Sequence, residues 1–366
     1  MFSERKISMS NGLGFRLIIC ISLISFSLFF FGGCAPQQQK TAKPVDLYVD
    51  AVMLSELNEN EQAVEKLNTA VKTDQNFSLA YSLMGDIYQK MQDYENSATA
   101  YERAAQINPY SFKDYFNLGK VYYVMEKFAN AVRAYVKAVE LEPNDLEANV
   151  GAAKSYYKVK DYNNALAYGE RAQQIDPNIN ELQKMLGDIY ETRKNYDQAI
   201  AAYKRALEAD SNNPEIMVSL AVAYLRTNRN EPAKELLLSA IQLQPTNDAY
   251  KYLGFSYLRL YEQASKEYMR LLKAEPNDIE KHNSMKDATV ALVEDSIEAY
   301  KKAIEINEKD WDAHRGLGVA YMIKSTNTKD DTLKAKALEE WRLSLEAKPD
   351  QPNAKGLQKL IQKYSK

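Results

Sequence analysis

The strongest constraint on this chain is a spacing of 34 residues that recurs along most of its length. Four columns of residues keep this step, and each column has its own residue type. The glycines are Gly85, Gly119 and Gly187; the tyrosines Tyr88, Tyr122, Tyr156, Tyr190 and Tyr224; the alanines Ala70, Ala104, Ala138, Ala172, Ala206 and Ala240; the prolines Pro109, Pro143, Pro177 and Pro245. Because independent columns share one period, the pattern predicts repeated structural units.

The stretch 112–145 shows what one unit contains. Its apolar residues recur at helical spacing in two halves, and the polar pair Glu126-Lys127 between the halves indicates a turn. Pro143 ends the second half, because proline lacks an N–H donor and clashes with the preceding helical turn. The columns are Tyr115, Leu118, Gly119 and Tyr122 in the first half, and Ala131, Tyr135 and Ala138 in the second.

This pattern resembles the tetratricopeptide repeat (TPR) family, whose unit is a helix–turn–helix of 34 residues. The resemblance implies an all-α, right-handed superhelical solenoid of about nine units, in which small residues let helices approach and large ones fill the remaining space. We expect a regular array over 44–276, degenerate and insertion-bearing units over 277–350, and a capping helix over 351–366. The capping helix is predicted to cover the last unit with one apolar face, which carries Leu357, Leu360, Ile361 and Tyr364.

The last units depart from the pattern. The seventh, about 247–275, is expected to have lost residues in its turn, and the eighth, about 276–310, to begin with a distorted helix. In the ninth, the stretch 324–334 (KSTNTKDDTLK) has the composition of an inserted loop.

The N-terminus predicts export and lipid attachment. Basic residues precede an apolar run over 17–31, and Gly32-Gly33-Cys34 follows, which is the order of a secretory signal. The ending resembles the bacterial lipobox, which implies a signal peptide over 1–33, acylation of Cys34 and a flexible tether over 34–43. Ala35 in place of Asp favours the outer membrane. The alternatives are an ordinary signal peptide with a chance cysteine, or an uncleaved anchor.

Composition argues against several functions. The net charge of -3 leaves no electrostatic footprint for nucleic acid, and both cysteines, Cys20 and Cys34, precede the repeats. His282 and His314 are the only histidines, and both are interpreted as ordinary helix residues. The sequence has no phosphate-binding loop, GxSxG elbow or HExxH motif. We therefore predict a non-catalytic protein with no cofactor and no metal.

The resemblance also implies a binding surface. In TPR arrays the first helices of successive units line a concave groove. Carried over by position, the groove residues are Phe116, Lys120, Tyr123, Val150, Lys154, Tyr157, Val218, Val222, Leu225, Lys251, Phe255 and Leu258, with Lys184, Asp188 and Glu191 in the fifth unit. Apolar and aromatic side chains with scattered lysines suit a peptide or a helix of a partner protein. The alternative is that these residues only pack the inner wall.

The favoured function is a protein-interaction scaffold, anchored to the cell envelope through Cys34 and engaged in the assembly of an envelope complex. The alternative function is a glycan- or peptidoglycan-binding module that stacks sugars on groove tyrosines such as Tyr123 and Tyr157.

Overall fold

The computed structural model describes residues 43–365. The predicted signal peptide, Cys34 and nearly all of the tether lie outside the described residues. Within them all regular structure is helical. The helices are α1 Pro44–Glu56, α2 Asn60–Thr73, α3 Ser78–Lys90, α4 Tyr94–Ile107, α5 Phe112–Val124, α6 Phe128–Leu141, α7 Leu146–Lys158, α8 Tyr162–Ile175, α9 Gln183–Thr192, α10 Tyr196–Ala209, α11 Pro214–Arg226, α12 Asn230–Leu243, α13 Asn247–Ala274, α14 Ile279–Ile306, α15 Trp311–Thr328, α16 Asp331–Ala347 and α17 Ala354–Tyr364.

Consecutive helices pack against each other along the described chain, which confirms the predicted all-α solenoid. Among residues 43–365, no helix combines the length and the apolar character needed to cross a membrane.

The turns inside the first six helix pairs share one backbone geometry. One residue per turn adopts a left-handed conformation, with φ between 57° and 63°. These residues are Asn58, Gln92, Glu126, Lys160, Lys194 and Asn228. They recur every 34 residues. The backbone conformation therefore repeats at this position even though its side chain varies.

The predicted pairing of small and large residues is confirmed by the packing within pairs. The ring of Tyr135 in α6 lies against Gly119 in α5, where an added Cβ would be 2.8 Å from the ring. The same ring touches Gly151 in α7, the first helix of the next pair. One buried tyrosine therefore joins two successive pairs, and both contacts require glycine.

The fourth pair lacks this ring, because Gly169 stands at the matching position of α8. Leu186 from the next pair occupies part of the space, since a Cβ on Gly169 would lie 2.8 Å from it. Tyr168 stacks on Tyr156, with ring centroids 5.5 Å apart, and contributes to three neighbouring apolar clusters. Neighbouring side chains thus fill the gap.

The prediction of separate seventh and eighth units is wrong. Residues 247–274 form one continuous helix, α13, with no turn near residue 260, and 279–306 form a second, α14. The expected distorted helix at 277–295 is instead the regular first half of α14. The predicted boundary at residue 276 lies at the tip of this helical hairpin.

The pairing contacts show that α13 and α14 form a single unit. Gly254 in α13 lies against the ring of Tyr300 in α14, and Tyr300 also touches Gly316 in α15, as Tyr135 touches Gly119 and Gly151. Ser296 Oγ donates to the carbonyl of Gly254 at 3.0 Å. In the second pair Ser97 Oγ donates to the carbonyl of Gly85 at 2.8 Å.

The glycine and tyrosine are 46 residues apart in this pair, against 16 for Gly119 and Tyr135. The seventh pair therefore carries an insertion of about 30 residues, folded as a helical extension over 260–292. The described residues hold eight such pairs rather than about nine.

The insertion in the last pair is also helical. The predicted loop over 324–334 is wrong, because α15 continues to Thr328 and α16 begins at Asp331. Only Lys329, with φ 58°, and Asp330 separate the two helices. Trp341 in α16 takes the place of the tyrosine ring against Gly318.

The C-terminal helix α17 covers the end of the array, as predicted. Leu357 is buried against Leu338 and Trp341. Ile361 and Tyr364 pack at the edge of the same cluster. Leu360, which was predicted to share this apolar face, is instead 39% exposed.

Candidate binding groove

The predicted groove residues lie on first helices, and most of them line two hollows. The central hollow, of about 370 Å³, is formed by α5 and α7 with Glu181 at its edge. It contains the predicted Phe116, Lys120, Tyr123, Val150 and Lys154. The C-terminal hollow, of about 830 Å³, contains the predicted Val222, Leu225, Lys251, Phe255 and Leu258. Tyr157 and Val218 line neither hollow.

Three of the predicted residues are less accessible than expected. Val150, Val222 and Leu225 are buried, with 5–8% of their surface exposed, because neighbouring first helices pack against them. They form the floors of the hollows, while Phe255, which is 40% exposed, stands at the surface. The groove thus combines a packed floor with accessible side chains.

The central hollow pairs aromatic rings with lysines. The Lys120 ammonium lies 5.4 Å from the centre of the Phe116 ring, and Lys154 forms an ion pair with Glu181 at 2.6 Å. Tyr123 packs edge-on against Phe128, with centroids 5.3 Å apart. Such a surface offers apolar contact together with a cation that is not fully buried.

A polar network on α9 follows the central hollow. Asp188 accepts hydrogen bonds from Tyr157 at 3.0 Å and from Tyr203 at 2.8 Å, and it pairs with Lys184 at 3.1 Å. Burial raises the pKa of Glu191, against the opposing hydrogen bond from Tyr203. The predicted residues of the fifth unit are thus tied to one another, so this segment offers a ligand fewer free groups than the hollows do.

The C-terminal hollow is formed mainly by the first helices of the last three pairs, α11, α13 and α15, and by the capping helix α17. Tyr300 and Trp341, each 3% exposed, lie at its base. Val319 and Leu360 are 37% and 39% exposed and line it together with Phe255. This arrangement leaves an open apolar hollow that no residue between 43 and 365 fills.

Charged groups at this hollow are mostly paired. Lys251 bridges Asp248 at 2.6 Å and Asp310 at 3.1 Å. Burial opposes ionisation of Asp310, but the backbone N–H of Ala313 and the charge of Lys251 together hold the pKa of its carboxyl below the ordinary value. Arg226 is exposed and has no side-chain hydrogen bond or ion pair among the described residues. It is therefore the cation most available to a ligand here.

Sequence reasoning missed the contribution of the last pair and the cap. Trp311, Val319 and Leu360 line the C-terminal hollow, although the predicted groove ended at α13. Leu360 had been assigned to the apolar face of the cap. The signal was present in α15, where Arg315 and Val319, which both line this hollow, hold the positions of Phe116 and Lys120 in α5. Trp311 holds a position that was not used for the other groove residues.

Side chains that could bind a metal ion do not cluster in the described part of the chain. Between residues 43 and 365, no group of three or more His, Cys, Asp or Glu side chains could hold a metal ion. His314 donates to the carboxylate of Glu340 and the carbonyl of Glu308, so both its nitrogens serve structural bonds.

The fold and the groove define a helical-repeat solenoid with a surface for binding. Family models described as tetratricopeptide repeat match residues 113–145, 146–179 and 190–254, and a model described as TPR repeat matches 85–126 and 293–323. The chain therefore carries tetratricopeptide repeats. The match over 293–323 begins at the second half of α14, where the insertion ends.

Solved structures of low sequence identity match parts of the chain. The TPR protein YrrB, whose structure is described as having an unusual peptide-binding site, is 21% identical, with 50% of this chain and 94% of YrrB covered and a TM-score of 0.45. The Cut9–Hcn1 structure is 15% identical over 86% of this chain and 55% of that one, with a TM-score of 0.47. Pseudomonas aeruginosa PilF is 15% identical over 55% and 92%, with a TM-score of 0.43. The comparison with curated proteins gave no match.

Proposed function

We propose that this protein is a non-catalytic scaffold whose groove binds a peptide or helix of a partner protein. The observation that supports this most directly is the C-terminal hollow, where Phe255, Val319 and Leu360 remain accessible around a buried aromatic base. Exposed apolar side chains gathered in a concavity are typical of recognition surfaces. The matched repeat family supports the same conclusion, since its units are used for protein interaction.

The groove tyrosines give less support to a glycan ligand. Tyr123 packs against Phe128, and Tyr157 packs against Tyr162 while donating to Asp188. A sugar would have to displace these contacts to stack on either ring. A protein segment can instead use the apolar side chains that are already exposed.

Site-specific crosslinking tests the proposed groove. A photo-reactive amino acid at Phe255 in the full-length chain should give a defined protein adduct in cells. The same group at Tyr110, which is 84% exposed and lies in the connection between α4 and α5, should not. Lys154→Glu should weaken protein capture if the central hollow takes part. Adducts of equal yield at both sites, or glycan binding that Tyr157→Ala removes, would contradict the proposal.

We also propose that the scaffold is attached to the bacterial envelope through acylation of Cys34, with the repeats in the periplasm at the outer membrane. This part is supported by the sequence of the first 43 residues alone. Each buried CH₂ of an acyl chain contributes about 0.8 kcal/mol, so several chains anchor a protein stably. In cell fractionation, Cys34→Ser should release the protein from membranes after an alkaline wash. Retention of the Cys34→Ser variant would refute the anchor and leave the groove proposal unaffected.

A further inference from the structure

The outer face of α1 differs from the same face of every later first helix. Met53 is 51% exposed and Val49 is 49% exposed. The residues at the position of Met53 in the seven later pairs are at most 1% exposed. They are Ile87, Val121, Ser155, Ile189, Ala223, Ser256 and Ala320.

The second helix of the preceding pair buries these later residues. Ile87 of α3, for example, shares one apolar cluster with Leu67 and Val71 of α2. The second helices of the first five pairs are each 14 residues long. Among the described residues no helix holds this place before α1. The shape that fits the face is therefore an amphipathic helix of about four turns.

The residues just before α1 are a poor source of this helix. Three repeat lengths before α6, the matching stretch is 26–39, FSLFFFGGCAPQQQ. A helix there would contain Gly32, Gly33 and Pro36, which cost about 1, 1 and 3 kcal/mol relative to alanine in a helix interior. The composition of this stretch, which also has no lysine or arginine, therefore favours another chain as the occupant.

The negative charge of this face indicates which kind of chain could bind there. Asp46 and Glu56 are exposed, and neither has an ion pair among the described residues, whereas Asp50 is paired with Lys66 at 3.1 Å. A second copy docking through its own α1 would place these carboxylates opposite the same carboxylates, because a two-fold interface brings identical patches together. Lysine or arginine beside an apolar stripe would complement them.

We propose that the outer face of α1 is a docking site for a basic amphipathic helix of another protein, held as α2 is held on α3. Val49 and Met53 contact its apolar stripe, and Asp46 and Glu56 face its cations. The site lies at the end of the array and does not depend on the groove proposal.

A peptide pair tests the proposal on the full-length protein. The probe is a labelled peptide with the sequence of α2, residues 60–73, in which Glu61 and Glu65 are replaced by lysine; the unmodified α2 peptide is its matched control. The lysine peptide should bind more tightly than the control, and the difference should shrink as salt is raised. Val49→Glu with Met53→Glu should weaken binding about tenfold or more, since each 1.4 kcal/mol changes affinity tenfold.

The control variant is Leu238→Glu, a partly exposed residue on α12, which should leave binding unchanged. Asp46→Lys should weaken the lysine peptide and spare the control peptide. Three results would each overturn the proposal. The first is peptide binding that is unchanged by Val49→Glu with Met53→Glu. The others are no binding at all, because another segment covers the face, and binding to phosphatidylglycerol vesicles in place of the peptide.

Discussion

The second, third and fifth helix pairs share with the last two pairs a contact of glycine against an aromatic ring, but the last two pairs join their helices differently. In the third pair, three residues separate α5 from α6, and Glu126 turns the chain with φ 57°. In the seventh pair, the same contact is made by Gly254 and Tyr300, but the helices run on beyond it and turn only at residues 275–278. The last pair, with Gly318 and Trp341, runs on by about one turn in each helix.

This comparison shows that the small-against-large contact defines the unit, while the turn is replaceable. Extra residues are accommodated as helix because extending two packed helices adds backbone hydrogen bonds, whereas a long loop leaves them to water. The array therefore tolerates insertions at its turns without losing the stacking of successive pairs.

The largest loss of stability is expected from removing the tyrosine ring that packs the seventh pair together. Tyr300→Ala should destabilise the protein by about 3–5 kcal/mol, the range for truncating a buried large aromatic residue. Tyr135→Ala, its counterpart in the third pair, should cost a similar amount. Urea unfolding followed by circular dichroism measures both. A Tyr300→Ala loss much smaller than that of Tyr135→Ala would mean that Gly254 and Tyr300 do not hold a unit together.

Overpacking the opposite side of the same contact should cost less. Gly119→Leu should destabilise by about 1–3 kcal/mol, because even a Cβ at Gly119 would lie 2.8 Å from the Tyr135 ring. Gly254→Leu should have the same effect against Tyr300, where the distance is also 2.8 Å. Thermal melts measure the loss, and Lys120→Leu on the exposed face of α5 serves as the control. An unchanged melting temperature for Gly119→Leu would contradict the packing.

The regular pairs could be predicted from sequence because their columns share one fixed step. Tyr115, Gly119, Ala131 and Tyr135 lie within a window that repeats along the chain. The seventh pair could not be read in this way, because its partners are 46 residues apart and the insertion is itself helix-forming. In the regular pairs a small residue of the second helix, such as Ala131, follows the tyrosine column closely. The next small residue after Tyr257 is Ala264, but the residue that packs in this position is Ser296.

The groove was predictable to the same extent. First-helix positions located five residues of each hollow, because the position in the repeat determines which way a side chain points. Val150 and Leu225 line the hollows, but their burial depends on neighbouring helices that no single column describes. Leu360 was missed because helical spacing cannot distinguish the covered edge of a capping helix from its exposed edge.

The last pair contains a buried histidine, His314, that the regular pairs lack. Its contribution to stability can be measured by changing the pH. His314 stands where the third pair has Tyr115. Its Nδ1 lies 2.6 Å from Glu340 Oε2 and its Nε2 lies 3.0 Å from the carbonyl of Glu308. Both partners accept hydrogen bonds, so the bonded imidazole is protonated. The hydrogen bond to Glu340 raises the pKa of His314, although burial opposes it.

Because the pKa is raised in the folded state, this stabilisation is complete below the unfolded value of about 6.5 and is lost as pH rises through the folded value. The melting temperature should therefore fall over that interval. His314→Gln, which cannot titrate, should flatten the fall. An equal fall in the variant would assign the pH dependence to other groups.

The smallest expected effect concerns the left-handed turn of the first six pairs. Glu126 holds φ 57° without being glycine, a conformation that costs an L-residue about 1–2 kcal/mol. Glu126→Gly removes that cost but adds about 0.5–1 kcal/mol of chain entropy, so a net stabilisation of up to about 1.5 kcal/mol is expected. Glu142→Gly, at φ -127° in the turn after α6, should only destabilise. If both changes lower the melting temperature equally, the left-handed turn carries no strain, and the regular pairs would have no energetic reason to share it.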